Sequence, residues 1–280
     1  MPMAVVLSGG GLRGIAHIGV VGALEGADLY PRWWAGSSVG AIVGAAAALG
    51  WDSWLLTALA RAACTMELFP VSAFALLRDR DRATHVCSPA PLQRFLADIF
   101  GEMRLHAALA RGVSLRIVAT DVETGAPVVF NEMEHAELRL RDAIYASCAL
   151  PGLLPPLELD GRLLMDGGMV NNLPIDTIPA QADAVLAVQL PPPVTSRTNP
   201  TDGLGAIGFA LHGVRAAMQA ATAARLAAHR GAPLRLVEPR VAVGYSVAAR
   251  DVDAIVQSGY DATVRVLRNA ELRGVPTTRS

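Results

Sequence analysis

Short apolar segments alternate with longer ones in the first fifty residues, and this order predicts strands that alternate with helices. Residues 3–7 form an apolar run that stops at a glycine loop, which is typical of a buried strand. Residues 14–25 carry His17 as the single polar side chain before their last residue, so we predict a helix that is buried on nearly every side. A second short strand is predicted over residues 32–35, and a second apolar helix over residues 38–49.

The rest of the chain shows the same kinds of pattern. Asp160-Gly161 is a favourable dipeptide for a two-residue hairpin turn, so a strand is expected on each side of it. A strand-helix-strand-helix opening with short connections favours a parallel sheet with right-handed crossovers, and the sequence therefore predicts an α/β fold. Further strands are predicted at residues 115–120, 127–130, 163–165, 184–190 and 234–237, and further helices at residues 138–149, 204–229 and 249–272.

The 280 residues contain no linker that would separate two folding units, so we predict a single domain over residues 1–280. Residues 51–114 are mostly helical in character and are broken by prolines, which predicts a helical excursion or cap. Residues 191–280 are predicted to form a C-terminal helical extension with a late strand.

The hydrophobic fraction of 52% is high, but alanine and glycine carry much of it, which favours tight packing over membrane spanning. The nearest approach to a spanning segment, residues 33–51, contains two serines and four glycines and is better explained as a turn followed by a buried helix. The chain start lacks a basic region before its apolar stretch, unlike a signal peptide, so we expect a cytoplasmic protein.

The charged residues and cysteines exclude several classes of function. A formal net charge of −1 gives no field that would steer the protein to nucleic acid, so no nucleic-acid partner is predicted. All 24 basic residues are arginine, which excludes a catalytic lysine. The three cysteines, Cys64, Cys87 and Cys148, lack the clustering of a zinc site or a disulfide framework. We therefore predict no metal and no cofactor.

A Gly-x-Ser-x-Gly motif places Ser38 at the predicted junction between the second strand and the second helix. A serine on such a sharp turn needs small neighbours, because a Cβ atom at Gly36 or Gly40 would clash with the adjoining strand or helix. This geometry presents the serine hydroxyl as a nucleophile. Ser38 is the candidate catalytic residue, and the rest of the chain should supply a base and oxyanion donors.

The loop Gly9-Gly10-Gly11-Leu12-Arg13-Gly14 matches GxGxxG between a strand and a helix, which is also how a dinucleotide-binding fold begins. A dinucleotide site needs an acidic residue at the end of the second strand, but Ser38 and its neighbours stand there instead. The loop is better interpreted as a row of backbone N–H groups at a helix N-terminus, where an oxyanion can be held. A nucleotide-binding enzyme remains the alternative.

The base for Ser38 is more easily found among the carboxylates than among the histidines. His212 and His229 lie in the alanine-rich helix rather than in a loop after a strand, which disfavours a histidine triad. His17 is expected to pack in its helix, and the other histidines, His85, His106 and His135, are expected at the surface. Asp166 directly follows an apolar strand, and the two glycines after it leave room for Ser38, although Asp-Gly is also common at ordinary turns.

Taken together, these segments resemble the patatin-like phospholipase family, particularly its compact bacterial members. The resemblance covers roughly residues 3–50 and 115–190, and four blocks in the same order are more specific than any one of them. The blocks are Gly9-Gly10-Gly11-Leu12-Arg13-Gly14, Gly36-Ser37-Ser38-Val39-Gly40, Ala146-Ser147-Cys148-Ala149-Leu150-Pro151 running into Pro155-Pro156, and Asp166-Gly167-Gly168 with Asn171-Asn172-Leu173-Pro174.

The resemblance implies a three-layer fold with a mainly parallel central sheet flanked by helices, and a Ser38–Asp166 dyad. The amides of Gly9, Gly10 and Gly11 would form the oxyanion hole. The supporting motif residues are Arg13, Gly14, Gly36, Gly40, Gly167 and Gly168. Trp33 and Trp34 depart from the small or β-branched residues usual in such strands, whereas Asp121 and Thr124-Gly125 resemble family features whose expected role is to fix a turn.

The resemblance further implies a serine acyl hydrolase that cleaves lipid carboxylic esters, of the phospholipase A or lysophospholipase type. Its substrate would be a lipid or another ester, and transient contact with a membrane surface is compatible with that activity. No oligomeric state is predicted. A non-catalytic lipid-binding protein is a second alternative. Core packing is the expected role of most apolar residues in the excursion, although some could line or cover an acyl channel: Leu68, Phe69, Phe74, Leu76 and Leu77.

Overall fold

An eight-stranded sheet forms the centre of the protein. The structure is a computed structural model that describes residues 2–70, 85–191, 205–241 and 247–271. The strands are β1 (Met3–Leu7), β2 (Trp33–Ser37), β3 (Ser114–Asp121), β4 (Pro127–Asn131), β5 (Leu157–Leu159), β6 (Arg162–Asp166), β7 (Ala184–Val188) and β8 (Leu234–Val237).

Eight α-helices are described alongside the sheet. They are α1 (Ala16–Glu25), α2 (Val39–Ala48), α3 (Ser53–Thr65), α4 (Ala90–Phe100), α5 (Leu140–Cys148), α6 (Gly168–Asn171), α7 (Gly205–Ala228) and α8 (Val252–Glu271). A 3-10 turn over Gly11–Ile15 precedes α1. The first two residues of the helix predicted from residue 14 therefore belong to this 3-10 turn rather than to the α-helix. The predicted strands and helices are otherwise present, with ends that differ by one or a few residues.

The sheet order is β5-β6-β3-β2-β1-β7-β8, with β4 paired to β3. Strands β3, β2, β1, β7 and β8 run parallel, whereas β4 and β6 each pair antiparallel with β3, and β5 pairs antiparallel with β6. Alternate side chains of β1 enter two separate apolar cores: Val5 and Leu7 pack with α1 and α2, while Ala4 and Val6 face the other side. The predicted three-layer α/β fold with a mainly parallel central sheet is therefore confirmed.

Two strands share one edge of β3, and this arrangement positions the candidate site. Strand β2 pairs with β3 as far as Ser37, opposite Val118. Strand β6 pairs with β3 from Ala119 onward, and Asp166 lies opposite Ala119. Strand β4 pairs with residues on both sides of this junction and must occupy the opposite edge of β3. The end of β2 and the end of β6 consequently meet end to end.

Helix α1 is buried between the sheet and α8. Glycines on both helices allow their backbones to touch: a Cβ atom at Gly19 would stand 1.9 Å from the carbonyl oxygen of Val256, and one at Gly259 would stand 1.8 Å from that of Ala16. The C-terminal extension thus covers a helix that the sequence predicts to be buried. The predicted burial on nearly every side is confirmed, and α8 supplies the cover on one of these faces.

Within the excursion, α3 and α4 are helical as predicted, and residues 71–84, with Phe74, Leu76 and Leu77, lie outside the described residues. No helix in the described part of the chain is long and apolar enough to cross a membrane. The carboxylate of Asp121 accepts hydrogen bonds from the backbone N–H groups of Glu123 and Thr124, both at 3.0 Å, which fixes the turn as expected.

Two aromatic residues, Trp34 and His135, lie in environments that the local sequence did not predict. Trp34 is buried in the core behind the turn that carries Ser38, and the guanidinium of Arg32 lies 5.9 Å from the ring centre of Trp33. His135 was expected at the surface, but it is half-buried and meets Phe130 edge to face, with ring centres 5.2 Å apart. The apolar ring of Phe130 shields one side of the imidazole from water, which the local sequence does not reveal.

The contact between α1 and α8 gives a stability prediction. We expect Gly259→Ala to lower the free energy of unfolding by about 2 kcal/mol or more, because its Cβ atom would overlap the backbone of α1. Gly213→Ala in α7 is the matched control, since its added methyl group meets nothing within 4 Å. Thermal unfolding of the three proteins measures the difference. Equal melting temperatures for Gly259→Ala and the wild type would show that the two helices do not pack this closely.

Candidate active site

Ser38 occupies a strained turn between β2 and α2. Its backbone angles are φ 55° and ψ −127°, a region that residues with a Cβ atom rarely adopt. The flanking glycines are required by close backbone contacts: a Cβ atom at Gly36 would stand 2.3 Å from the carbonyl oxygen of Gly40, and one at Gly40 would stand 2.3 Å from that of Leu7. These contacts explain in physical terms why the motif has glycine at both positions.

A buried serine of α5 holds this turn in place. The backbone N–H of Ser38 donates to the hydroxyl oxygen of Ser147 at 2.9 Å, and that hydroxyl donates to the carbonyl oxygen of Val118 at 2.5 Å. Ser147 therefore links the turn to β3. In the sequence, Ser147 is recognised only as part of a motif. Its structural role was indicated by a different signal, namely that Ser147 is a polar residue on an otherwise apolar face of α5.

Asp166 ends β6 and is almost fully buried, with 4% of its surface exposed. Its carboxylate accepts a hydrogen bond from the backbone N–H of Gly168 at 2.7 Å. Burial raises the pKa of Asp166 to about 6, while the Gly168 N–H and the Ser38 hydroxyl act in the opposite direction. The carboxyl group can therefore exchange a proton near neutral pH.

Ser38 and Asp166 are neighbours because β2 ends opposite Val118 and β6 ends opposite Ala119, and the Ser38 hydroxyl accordingly lowers the pKa of Asp166. Gly167 is part of the same close approach, because a Cβ atom there would stand 1.9 Å from the carbonyl oxygen of Val118 and 2.9 Å from the hydroxyl oxygen of Ser37. Catalytic hydrogen bonds are often long in proteins without bound substrate and shorten when it binds. The arrangement can transfer a proton between a serine and a carboxylate.

The glycine loop lies across the carboxyl end of β1. The backbone N–H of Gly9 donates to the carbonyl oxygen of Asn172 at 3.2 Å, so this group is already occupied. Gly10 and Gly11 stand nearer the surface at the start of the 3-10 turn, and Gly11 has φ 60°, a conformation that favours glycine. Their amides are the loop's better placed donors for a bound anion.

His17 forms a hydrogen bond with Ser8, the residue that precedes the glycine loop. Its ring nitrogen Nε2 lies 2.8 Å from the carbonyl oxygen of Ser8, and since a carbonyl only accepts, Nε2 carries the proton. Burial lowers the pKa of His17 to about 4, although the bond to Ser8 works against this shift. The imidazole is therefore neutral near pH 7 and anchors the residue that precedes the glycines.

Arg13 is buried and donates to the carbonyl oxygen of Pro191. Burial, together with the positive charge of Arg215, lowers its pKa to about 10. The guanidinium therefore ties the glycine loop to the segment that follows β7. Gly14 permits the same tight packing, because a Cβ atom there would stand 2.2 Å from the side chain of Val39.

An apolar cavity opens beside Ser38. Helices α2, α3 and α4 supply most of its wall, and Leu68 and Phe69 belong to the lining, so these two residues border a cavity rather than only filling a core. Cys148 also lines it next to Ser38, where burial and the charge of Asp166 raise the pKa of its thiol. A cavity of this composition suits a hydrocarbon chain whose reactive end lies at the serine.

The histidines of the described residues engage other groups. His106 contacts the carbonyl oxygen of Ala136 at 3.0 Å, and His229 that of Ala232 at 2.9 Å. The side chain of His212 lies outside the described residues. In the part of the chain that the structure describes, no three metal-ligating side chains of His, Cys, Asp or Glu come together.

Comparison with known protein families gives one broad match. The family model described as patatin-like phospholipase matches residues 5–178. An uncharacterized NTE family protein of Mycobacterium tuberculosis is 35% identical over 195 residues, which cover 67% of this chain and 49% of that protein. A second NTE family protein of the same species is 32% identical over 193 residues, 67% of this chain and 30% of that protein.

Lysophospholipase NTE1 of Yarrowia lipolytica is 31% identical over 201 residues, 67% of this chain and 12% of that protein. The chain thus spans about half or less of the length of these curated relatives. Among solved structures, VipD from Legionella pneumophila has a similar fold, with a TM-score of 0.54 and 14% identity over 96% of this chain and 67% of that one.

The close contacts at the turn predict a contrast between two glycines of α2. Gly40→Ala places a methyl group against the backbone of β1 and should destabilise the protein by about 1–3 kcal/mol. Gly44→Ala, one turn later, meets only the Leu7 side chain at 3.8 Å and should be neutral or stabilising by about 0.5–1 kcal/mol. Chemical denaturation measures both. A stable Gly40→Ala protein would contradict the crossing of α2 over β1.

The burial of Asp166 predicts a pH-dependent stability difference. Between its ordinary pKa of 3.8 and about 6, the folded protein keeps a proton that the unfolded chain has lost, so stability falls as pH rises through this window. Asp166→Asn cannot lose that proton. Its advantage in free energy of unfolding over the wild type should grow from about pH 4 to pH 6, by on the order of 1.4 kcal/mol per pH unit, and then level off. An advantage that does not vary with pH would contradict the raised pKa.

Proposed function

The chain belongs to the patatin-like phospholipase family, and from this premise we propose that it is a serine acyl hydrolase that cleaves lipid carboxylic esters through Ser38 and Asp166. The observation that carries the proposal is the juxtaposition of a strained serine with a buried carboxylate at the mouth of an apolar cavity. Family membership supports ester hydrolysis of the phospholipase A or lysophospholipase type.

In the first half of the reaction, the Oγ atom of Ser38 attacks the ester carbonyl carbon while the Asp166 carboxylate takes the proton of the Ser38 hydroxyl. The resulting tetrahedral intermediate collapses, and the alcohol or lysolipid leaves with the proton from Asp166. An acyl group remains esterified to Ser38. The raised pKa of Asp166 supports this role, since a general base is most effective when its pKa lies near the working pH.

The glycine loop would stabilise the oxyanion of the intermediate. The amides of Gly10 and Gly11 are proposed as the main donors, because the amide of Gly9 already bonds to Asn172. Gly9 remains necessary for a different reason: a Cβ atom there would stand 3.2 Å from the Cβ atom of Ser38 and 2.6 Å from the amide oxygen of Asn172. Its role in the oxyanion hole would be to let the loop approach the nucleophile.

In the second half, Asp166 takes a proton from water, and the oxygen of that water attacks the acyl carbonyl carbon. Ser38 leaves and recovers its proton from Asp166, which frees the fatty acid. The apolar cavity would hold the acyl chain throughout. Transient contact with a lipid surface would deliver the substrate, and no metal or cofactor is needed for any step of this sequence.

Removal of either member of the dyad should abolish hydrolysis. We expect Ser38→Ala and Asp166→Asn to lower kcat for p-nitrophenyl esters by about a thousandfold or more. The kcat/KM of the wild type should fall as pH drops through about 6, because protonated Asp166 cannot act as the base. A fluorophosphonate probe should label the wild type but not Ser38→Ala.

Ser37→Ala is the matched control for Ser38→Ala. The Ser37 hydroxyl is buried and has no hydrogen-bond partner among the described residues, so its loss should change neither labelling nor hydrolysis appreciably. Full activity in both Ser38→Ala and Asp166→Asn would refute the dyad. Persistent ester hydrolysis at pH 4 with an unchanged kcat/KM would refute Asp166 as the base while leaving Ser38 as the nucleophile.

A further inference from the structure

The cavity beside Ser38 follows the length of α2. Its lining includes Ser38 and then, at successive turns of the helix, Ile42, Val43 and Ala46. Ser38, Ile42 and Ala46 are four residues apart and Val43 lies next to this row, so the four residues share one face of the helix. From Ser38 to Ala46 the helix rises about 12 Å. The cavity is therefore a channel that leads away from the nucleophile between α2 and its neighbours.

The far end of this channel is set by the way α2 stops. The backbone N–H of Gly50 donates to the carbonyl oxygen of Ala47 at 2.9 Å, and that of Trp51 donates to the carbonyl oxygen of Ala46 at 3.0 Å. With Gly50 at φ 82°, these bonds form a Schellman motif, in which the residue after the glycine packs back on the last turn. Trp51 is thereby fixed across the end of the face that lines the cavity.

A second aromatic ring reinforces this end. Trp51 stacks on Phe100, the last residue of α4, with ring centres 5.4 Å apart and planes inclined by 11°. Phe100 is fully buried, whereas Gly11 at the other end of the cavity is exposed. The exposed Gly11 marks the mouth, and the buried Phe100 with the half-buried Trp51 marks the far end. Both rings line the cavity.

We propose that this cavity is a closed acyl site and that Trp51, backed by Phe100, limits the length of the acyl chain that Ser38 can accept. The inference rests on the proposed hydrolase function and deepens it. An extended hydrocarbon advances about 1.3 Å per carbon–carbon bond, given a bond length of about 1.5 Å. A channel of about 12 Å therefore holds roughly nine or ten carbons, which makes medium-chain esters the favoured substrate class.

Two substitutions should move this limit in opposite directions. Trp51→Ala removes the end wall, so we expect the ratio of kcat/KM for p-nitrophenyl tetradecanoate to that for the decanoate to rise about tenfold. Ala46→Leu fills the channel two turns from the nucleophile, so the ratio of decanoate to butanoate should fall about tenfold. Trp54→Ala is the matched control, because Trp54 is 79% exposed and does not line this cavity. Its ratios should equal those of the wild type.

Fatty-acid binding gives a readout that does not depend on catalysis. Calorimetry on Ser38→Ala should show tighter binding of decanoate than of tetradecanoate, and Trp51→Ala in the same background should remove that preference. If butanoate is hydrolysed but Ala46→Leu and Trp51→Ala keep the wild-type ratios, the proposal is wrong. If Trp51→Ala does not fold, the Ala46→Leu ratio alone decides it.

The same measurements separate this proposal from the proposed function. A protein that cleaves no ester but binds fatty acids with the expected length dependence would retain the acyl site and lose the hydrolase assignment. A protein that cleaves all three esters with equal kcat/KM, and binds both fatty acids equally, would retain the hydrolase and lose the length limit.

Discussion

The candidate site depends on one edge of β3 that serves two partners in succession. Each backbone edge of a strand can pair with one neighbour at a given residue, so β2 must leave the sheet after Ser37 before β6 can pair from Ala119. The departing chain turns sharply at Ser38, and the arriving chain ends at Asp166. The backbone pairing of β3 thereby brings together a serine and a carboxylate that are 128 positions apart in sequence.

Glycines allow this junction because three chain segments approach within van der Waals distance of one another. Gly36 and Gly40 permit α2 to start against β1, and Gly167 permits the end of β6 to pass beside Val118. Ser147 completes the junction with a hydrogen bond on each side of its hydroxyl. The positive φ of Ser38 is sustained by these surrounding contacts, in keeping with strain at a site whose geometry is fixed by its neighbours.

Burial of Asp166 has opposite effects on catalysis and on the stability of the folded protein. It raises the pKa to about 6 and makes the carboxylate a better base near neutral pH, but it also makes the charged form costly in the folded protein. The C-terminal extension packs beside this carboxylate, because a Cβ atom at Gly168 would stand 2.5 Å from the terminal methyl group of Met218 in α7 and 2.9 Å from Oδ1 of Asp166. The family model ends at residue 178, yet helices beyond it close one side of the site and cover α1.

The sequence by itself determined the α/β class, the order of strands and helices, and the residues whose identity is forced by local geometry. Apolar runs bounded by glycines mark buried strands, and the glycines around Ser38 mark a turn that no larger residue fits. The antiparallel arrival of β6, the packing of α8 on α1, the occupied amide of Gly9 and the aromatic end of the cavity were decided only in three dimensions. Each of these joins residues far apart in the chain, and local hydrophobic patterns carry no information on which distant segment supplies the partner.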